Sequence, residues 1–284
     1  MQKNKLGKTG LQISPVTYGG MISNNVEQKA SDQYVTYAYD RGINYFDVAP
    51  LYGDAQTKMG NSIRPYRNHI ILACKTFERS AESARKELEE SMRLLHTDYF
   101  DVYQLHCLFS PEDVDNAFSE NGSMKTILKA REEGYIRHVG ITAHCEESAL
   151  KALKLYDFDT VLFPLNWASG LSKGFGHRVA KLCKEQEKGF ISIKSQAERV
   201  WNEGEEQTYP LSWTKPIDDN DHLAICALKY ALSLGADTII PPGNFKHFSF
   251  VFDHIDECLK NPLTQEDITY LKHCLANLDG KPIF

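Results

Sequence analysis

The chain has 284 residues and an apolar fraction of 42%, enough to bury a sizeable core in one large domain or two modest ones. A net charge of −6, mixed along the chain, leaves no basic face for nucleic acid, and no apolar run approaches the roughly 18 residues of a membrane span. The seven cysteines lack CxxC spacing and the charged residues 1–5 have no apolar segment behind them, so free thiols in a reducing cytoplasm are expected.

Gly7-Lys8-Thr9-Gly10, between Lys5-Leu6 and Leu11-Gln12-Ile13, has the turn chemistry of a short hairpin. Residues 16–21 read as a strand ending in Gly19-Gly20, where backbone approaches a ligand or simply turns tightly. A helix follows, with Ala30, Tyr34, Tyr37 and Ala38 on one face and Gly42 past its end. The next strand, Ile43-Asn44-Tyr45-Phe46, is interrupted by Asp47, Pro50 ends sheet pairing, and Tyr52 follows beside Gly53. A carboxylate ending a buried strand and a phenol just beyond it are costly to bury for packing alone.

From there the pattern repeats. Strands are predicted over 69–76, 99–106, 136–142, 160–165, 190–195 and 238–241. A helix over 55–63 precedes the first of these, and Ser80 caps the next, whose apolar face is Ala81, Ala84, Leu88, Met92 and Leu95. Helices around 124–131, 150–156, 177–183 and 223–234 separate the later strands, and segments 245–258 and 265–278 follow the last one.

Eight strands alternating with helices imply right-handed parallel crossovers. In one chain of this size that points to a closed (β/α)₈ TIM barrel with an N-terminal β-hairpin, a single domain over 1–284. A doubly wound open sheet is the runner-up, but Gly19-Gly20-Met21 stands where its GxGxxG would be. Two connections, 107–123 and 201–221, are too long for simple turns and follow strands, which in a barrel puts both on the face where active sites form. The second carries Trp201, Tyr209 and Trp213, either as walls of a substrate pocket or as incidental aromatics in a mobile acidic loop.

The second predicted strand ends at Asp47 with Tyr52 just beyond, the third ends at Lys75 and the fourth at His106. Each residue alone has a bland reading: a helix cap, a lysine leaving the sheet, a satisfied core histidine, a core tyrosine. Four titratable groups on three consecutive strands, at the same end, point instead to chemistry. A phenol has a pKa near ~10, and a lysine ammonium in contact favours the phenolate. Asp47 would hold Lys75 in place, and His106 would orient a substrate oxygen. The set suits protonating an alkoxide as it forms from a carbonyl, or the reverse. No serine elbow competes, and the hydride must come from a cofactor. His106-Cys107, His144-Cys145 and Cys74 offer zinc ligands, but on separate strands without the short loop spacings of zinc modules, so no metal is expected.

Phe46-Asp47-Val48-Ala49 with Tyr52-Gly53, then Lys75, then Gln104-Leu105-His106, resemble the aldo-keto reductase family, and the resemblance runs from the hairpin to Ile240-Pro241. It implies a (β/α)₈ barrel and a catalytic tetrad of Asp47, Tyr52, Lys75 and His106. It also implies a nicotinamide cofactor, NADP(H) rather than NAD(H), for reducing the aldehyde or ketone carbonyl of a small-molecule substrate to an alcohol. Cofactor contacts carry over to Gly20, Thr142, Asn166, Lys194, Ser195, Gly243, Asn244, Lys246 and Asp253. Ala143 follows Thr142 where the family often has Asn, and Leu162 replaces a glutamine that meets the carboxamide. The tyrosine that often stacks on the nicotinamide is absent, and Lys194 resembles the lysine of one branch of the family. Pro242-Gly243-Asn244 resembles the phosphate-binding loop, followed by an unusually aromatic stretch, residues 248–253, where adenosine is normally gripped. Lys246, with His247, offers charge to a 2′-phosphate, unless it is only a solvated cation at a helix start. Two other functions stay open: a nicotinamide-binding regulatory protein with little turnover, like potassium-channel β subunits of the family, and a redox-neutral enzyme with tightly held NAD(H).

Overall fold

The computed structural model describes residues 2–284 and begins with the expected hairpin, β1 (Asn4–Lys5) antiparallel to β2 (Gln12–Ile13). Gly7, at φ 49°, turns this hairpin flat against the backbone of residues 187–189, where a Cβ would stand 2.2 Å from Gly189 N. Leu6 and Ile13 are thereby buried with Tyr45, Ala73, Val102, Leu162 and Ile191, so the hairpin plugs one end of the sheet that follows.

That sheet is built from β3 (Tyr18–Gly19), β4 (Tyr45–Asp47), β5 (Ile71–Thr76), β6 (Phe100–Leu108), β7 (Ile136–Ala143), β8 (Thr160–Pro164) and β9 (Gly189–Ile193). After a small antiparallel pair, β10 (Ala197–Arg199) and β11 (Lys215–Pro216), comes its last strand, β12 (Thr238–Ile239). All eight neighbours run parallel in chain order. The ring closes where Val16 bridges Ile239, with Thr17 N donating to Ile239 O at 2.9 Å and Ile239 N to Pro15 O at 3.0 Å. The architecture is a (β/α)₈ barrel.

The helical layer comprises α1 (Gln28–Asp40), α2 (Ala55–Ile63), α3 (Ala81–Leu94), α4 (Pro111–Phe118), α5 (Ser123–Glu132) and α6 (Glu146–Leu155). It continues with α7 (Trp167–Lys173), α8 (His177–Glu185), α9 (Asp221–Ser233), α10 (Phe245–Lys260) and α11 (Gln265–Ala276). Helix α3 illustrates why these segments are helical: the Ser80 hydroxyl accepts from Ser83 N at 3.2 Å, and Ala84 and Leu88 bury one stripe against the sheet. Among the described residues no helix is long and apolar enough to cross a membrane.

Three details differ from the sequence reading. The connection 107–123 contains α4, started by a capping box in which Ser110 and Asp113 bond each other's backbone, with Pro111 in the first turn. Asn166 starts a further short helix, α7, by accepting from Ser169 N at 3.0 Å. The first barrel strand stops at Gly19, and Gly20 opens a 3₁₀ turn (Gly20–Ser23).

Inside the barrel, Gly140 of β7 sits between Gln104 and Thr160 in register. A Cβ there would lie 2.1 Å from Thr160 Oγ1 and 3.0 Å from Thr160 O. Gly140→Ala is expected to destabilise the fold by about 1–3 kcal/mol, the range for overpacking a tight core. The urea midpoint at unchanged m-value measures this, and an unshifted midpoint would show that the side chain of Thr160 yields freely.

Candidate active site

Strands β4, β5 and β6 are consecutive neighbours, with Asp47 level with Ala73 and Lys75 level with Gln104. Alternate residues share a face, so Asp47, Lys75 and His106 project into the barrel mouth. Their neighbours Phe46, Cys74 and Leu105 face the helices, and Cys74 meets Gln56 Nε2 of α2 at 3.4 Å. Tyr52 comes from the loop after β4, which folds back through Tyr52 N donating to Ala49 O at 3.1 Å.

The four side chains line one cavity of about 480 Å³. The Lys75 ammonium donates to the Asp47 carboxylate and, at 3.3 Å, to Val48 O. It lies 5.2 Å from the centroid of the Tyr52 ring. The His106 ring stands edge-on to Tyr52, 5.9 Å away at 78°. Arg79 Nη2 holds the end of β6 by donating to His106 O at 2.8 Å and Cys107 O at 3.0 Å.

Electrostatics assign the protonation states. Burial works against charge on Lys75, but Asp47 outweighs it and holds the amine above its ordinary value, fully protonated. Loss of water pushes the Tyr52 phenol up to about 12, although the Lys75 ammonium pulls the other way. The sequence expectation that Lys75 lowers this pKa thus names a real influence that desolvation exceeds. Burial, reinforced by Lys75, drives His106 well below its usual range, so the imidazole is neutral. Its Nδ1 has no hydrogen-bond partner among the described residues.

The residues expected around a cofactor are placed less uniformly. Thr142, Lys194 and Gly243 line the same cavity, and Thr142 Oγ1 accepts from Cys107 N at 2.7 Å. Gly20 does not line it; a Cβ there would meet Val48 at 2.7 Å, so its smallness seats the loop after Asp47. Asn166 is fully engaged: besides capping α7, where its Oδ1 also accepts from Ser169 Oγ at 3.2 Å, it donates to Lys194 O at 3.1 Å and Ala197 O at 2.7 Å. Ser195 is buried and Asn244 caps α10 through Oδ1, while Ser195 Oγ and Asn244 Nδ2 have no partner among the described residues. Asp253 is exposed on α10, away from the cavity lining.

Lys246 is paired with Asp218 at 2.5 Å beside a second hollow of about 410 Å³ lined also by Ile217, Asp221, Phe245 and His247. Asp218 further accepts from the Tyr209 hydroxyl at 2.8 Å and lies 3.1 Å from His247 Nε2. Of the three loop aromatics, Trp213 walls the main cavity, 65% exposed and 6.0 Å from Tyr52. Trp201 instead donates to Ser212 O at 3.1 Å and ties the loop to itself. Sequence reasoning missed Asp218 and Arg79, which act through contacts that no local spacing announces.

Residues 15–211 match the profile of the Aldo/keto reductase family. The uncharacterised oxidoreductase YqkF of Bacillus subtilis (strain 168) is 32% identical over 157 residues, 50% of this chain and 49% of that protein. The aldo-keto reductase YhdN of the same organism is 34% identical over 161 residues, 50% of this chain and 47% of that protein. The chain thus spans about half the length of the curated relatives it matches. The solved holo form of the aldo-keto reductase AKR11C1 from Bacillus halodurans superposes with a TM-score of 0.72 over 96% of each chain, a likeness of fold alone at 21% identity. With the family match running through most of the barrel and its rim, the chain belongs to the aldo/keto reductase family.

Proposed function

We propose that this chain is an NAD(P)H-dependent reductase of aldehydes or ketones in which Tyr52 gives the proton. The observation that carries this reading is the meeting of a phenol, an ammonium–carboxylate pair and a neutral imidazole in one cavity of about 480 Å³. A reduced nicotinamide, when bound, supplies the hydride that no side chain can. The neutral His106 donates a hydrogen bond to the carbonyl oxygen and orients it without adding charge. Tyr52, kept protonated by desolvation, passes its proton to that oxygen as negative charge grows there. An alkoxide is a far stronger base than a phenolate, so the transfer runs downhill. The Lys75 ammonium, fixed by Asp47, stabilises the phenolate left behind.

The surrounding residues fit a dinucleotide. Gly243 forms a floor with no space for a side chain, since a Cβ would meet Met21 Cγ at 2.7 Å and Leu211 O at 3.0 Å. Ser195 Oγ and Asn244 Nδ2 are buried donors without a protein partner among the described residues. Thr142 would lie against the reacting end, and Lys194 opens onto the same cavity beside it. Asn166, engaged on both sides, would shape the site through the backbone it holds.

NADP(H) remains the reading that Lys246 supports, but Asp218 already shares that cation. Asp218→Asn is therefore expected to tighten NADPH binding relative to NADH by about fivefold, roughly 1 kcal/mol of relieved repulsion at an exposed site. Quenching of the three tryptophans by each coenzyme measures both dissociation constants. An unchanged ratio would remove Lys246 from the 2′-phosphate. The function itself is tested by consumption of NADPH or NADH across a panel of aldehydes and ketones. Tight coenzyme binding with no turnover on any of them would overturn it in favour of a binding role.

A further inference from the structure

One wall of the cavity takes no part in the proton relay. Lys194, just past β9, and His144, just past β7, both line it, together with Cys107 at the end of β6. The other charged groups in the lining are Lys75 and Asp47, which bond each other. Among the described residues no carboxylate pairs with Lys194: its surroundings bring burial, which lowers the amine to about 8, and the thiol of Cys107. Its ammonium lies over the face of the Phe284 ring, 4.9 Å from the centroid.

The backbone is shaped to present this group. Lys194 adopts φ 59° and Cys107 φ 55°, left-handed conformations that disfavour side chains and persist where the surroundings impose them. His144 is held by Phe109, stacked on it at 5.1 Å and 29°. Its Nδ1 is buried without a partner among the described residues, and burial, with Lys194 adding to it, lowers its pKa to about 3. It is thus a neutral hydrogen-bonding group beside a cation. The rest of this wall is apolar, with Leu162, Ile193 and Phe109. A lysine in such a place, without a counter-charge from the protein, is stabilised by an anion that arrives with a ligand.

We propose that Lys194, with His144 beside it, is an anion subsite of the substrate cavity, and that the carbonyl substrate carries a carboxylate. The inference rests on the carbonyl-reductase reading above and names its substrate class. A single ammonium balances the single charge of a carboxylate, and His144 supplies a neutral hydrogen bond to the second oxygen. The aliphatic and aromatic wall between suits a short apolar spacer leading toward Tyr52 and His106. The substrate is then a small oxo acid or semialdehyde acid.

Succinic semialdehyde and butanal differ chiefly in the terminal carboxylate and make the test direct. With wild-type protein and saturating NADPH or NADH, kcat/KM for the acid is expected to exceed that for butanal by at least about tenfold, mostly through KM. Lys194→Met is expected to bring the ratio within about twofold, and Lys194→Arg to restore most of it. Equal kcat/KM for the two in the wild type overturns the subsite. So does a Lys194→Met that weakens NADPH binding and both reductions alike, which would assign the lysine to the cofactor. If no carbonyl turns over, the reductase reading fails separately, and quenching of tryptophan fluorescence by succinate against succinamide decides the subsite. A tenfold preference for the anion, lost in Lys194→Met, supports it, and equal binding overturns it.

Discussion

Tyr52→Phe is expected to lower kcat for carbonyl reduction by about a hundred- to ten-thousandfold while leaving the coenzyme dissociation constant within about twofold. The substitution removes only the hydroxyl. The ring keeps its place 6.0 Å from Trp213 and 5.9 Å from His106, so the cavity wall survives. On the proposed mechanism, what is lost is the proton that Tyr52, kept protonated by burial, would pass to the developing alkoxide. Lys75 cannot substitute readily, because its ammonium is bound to Asp47 and Val48 O. His106 cannot either, because burial keeps it neutral and any proton it gave would leave an imidazolate. Steady-state turnover of a neutral aldehyde, paired with fluorescence titration of the coenzyme, separates the two effects. Turnover at the wild-type level would remove Tyr52 from the chemistry. A parallel loss of coenzyme binding would instead mean that the hydroxyl supports the site's shape.

The convergence of Asp47, Lys75 and His106 was legible because strands report direction two residues at a time. Each residue alternates with a side chain, Phe46, Cys74 or Leu105, that belongs to the layer beneath the helices. The eight-fold alternation of strand and helix likewise survives any error at element ends. The short helix α4 was legible in principle, since Ser110-Pro111-Glu112-Asp113 is a capping signature, but its eight residues carry little periodicity. Other features depend on paths that spacing does not encode. The capture of Lys246 by Asp218 needs the loop of residues 201–220 to return over α10, across a separation of 28 residues. The engagement of Asn166 depends on where Ala197 O ends up, 31 residues away. The phenol of Tyr52 shows a further kind of limit. Its charged neighbours could be named from the strand ends, whereas the desolvation that outweighs them is a property of the assembled cavity.

Breaking the pair behind that phenol is expected to have the largest effect on the fold. Asp47→Asn and Lys75→Met should each lower stability by about 3–5 kcal/mol, and the double variant by less than the sum of the two. Both side chains are almost wholly withdrawn from water, Asp47 at 2% and Lys75 at 1% exposure, so each is tolerated only because the other is there. With Asp47 amidated, the ammonium keeps only neutral acceptors, an amide oxygen and Val48 O at 3.3 Å, and without a counter-charge burial then favours the neutral amine. With Lys75 replaced, the carboxylate loses its donor, and Asp47 Oδ1 already has no partner among the described residues. The double variant removes both charges and leaves a nearly neutral interior, for which buried pairs elsewhere show little or no loss. Urea unfolding of the four proteins at one pH closes the cycle, and the coupling energy should be at least about 2 kcal/mol. Strictly additive losses would mean that the two residues stabilise the barrel independently. Lys75 would then not owe its place beside Tyr52 to Asp47, and the reason for burying a lysine at the mouth of β5 would have to be sought elsewhere.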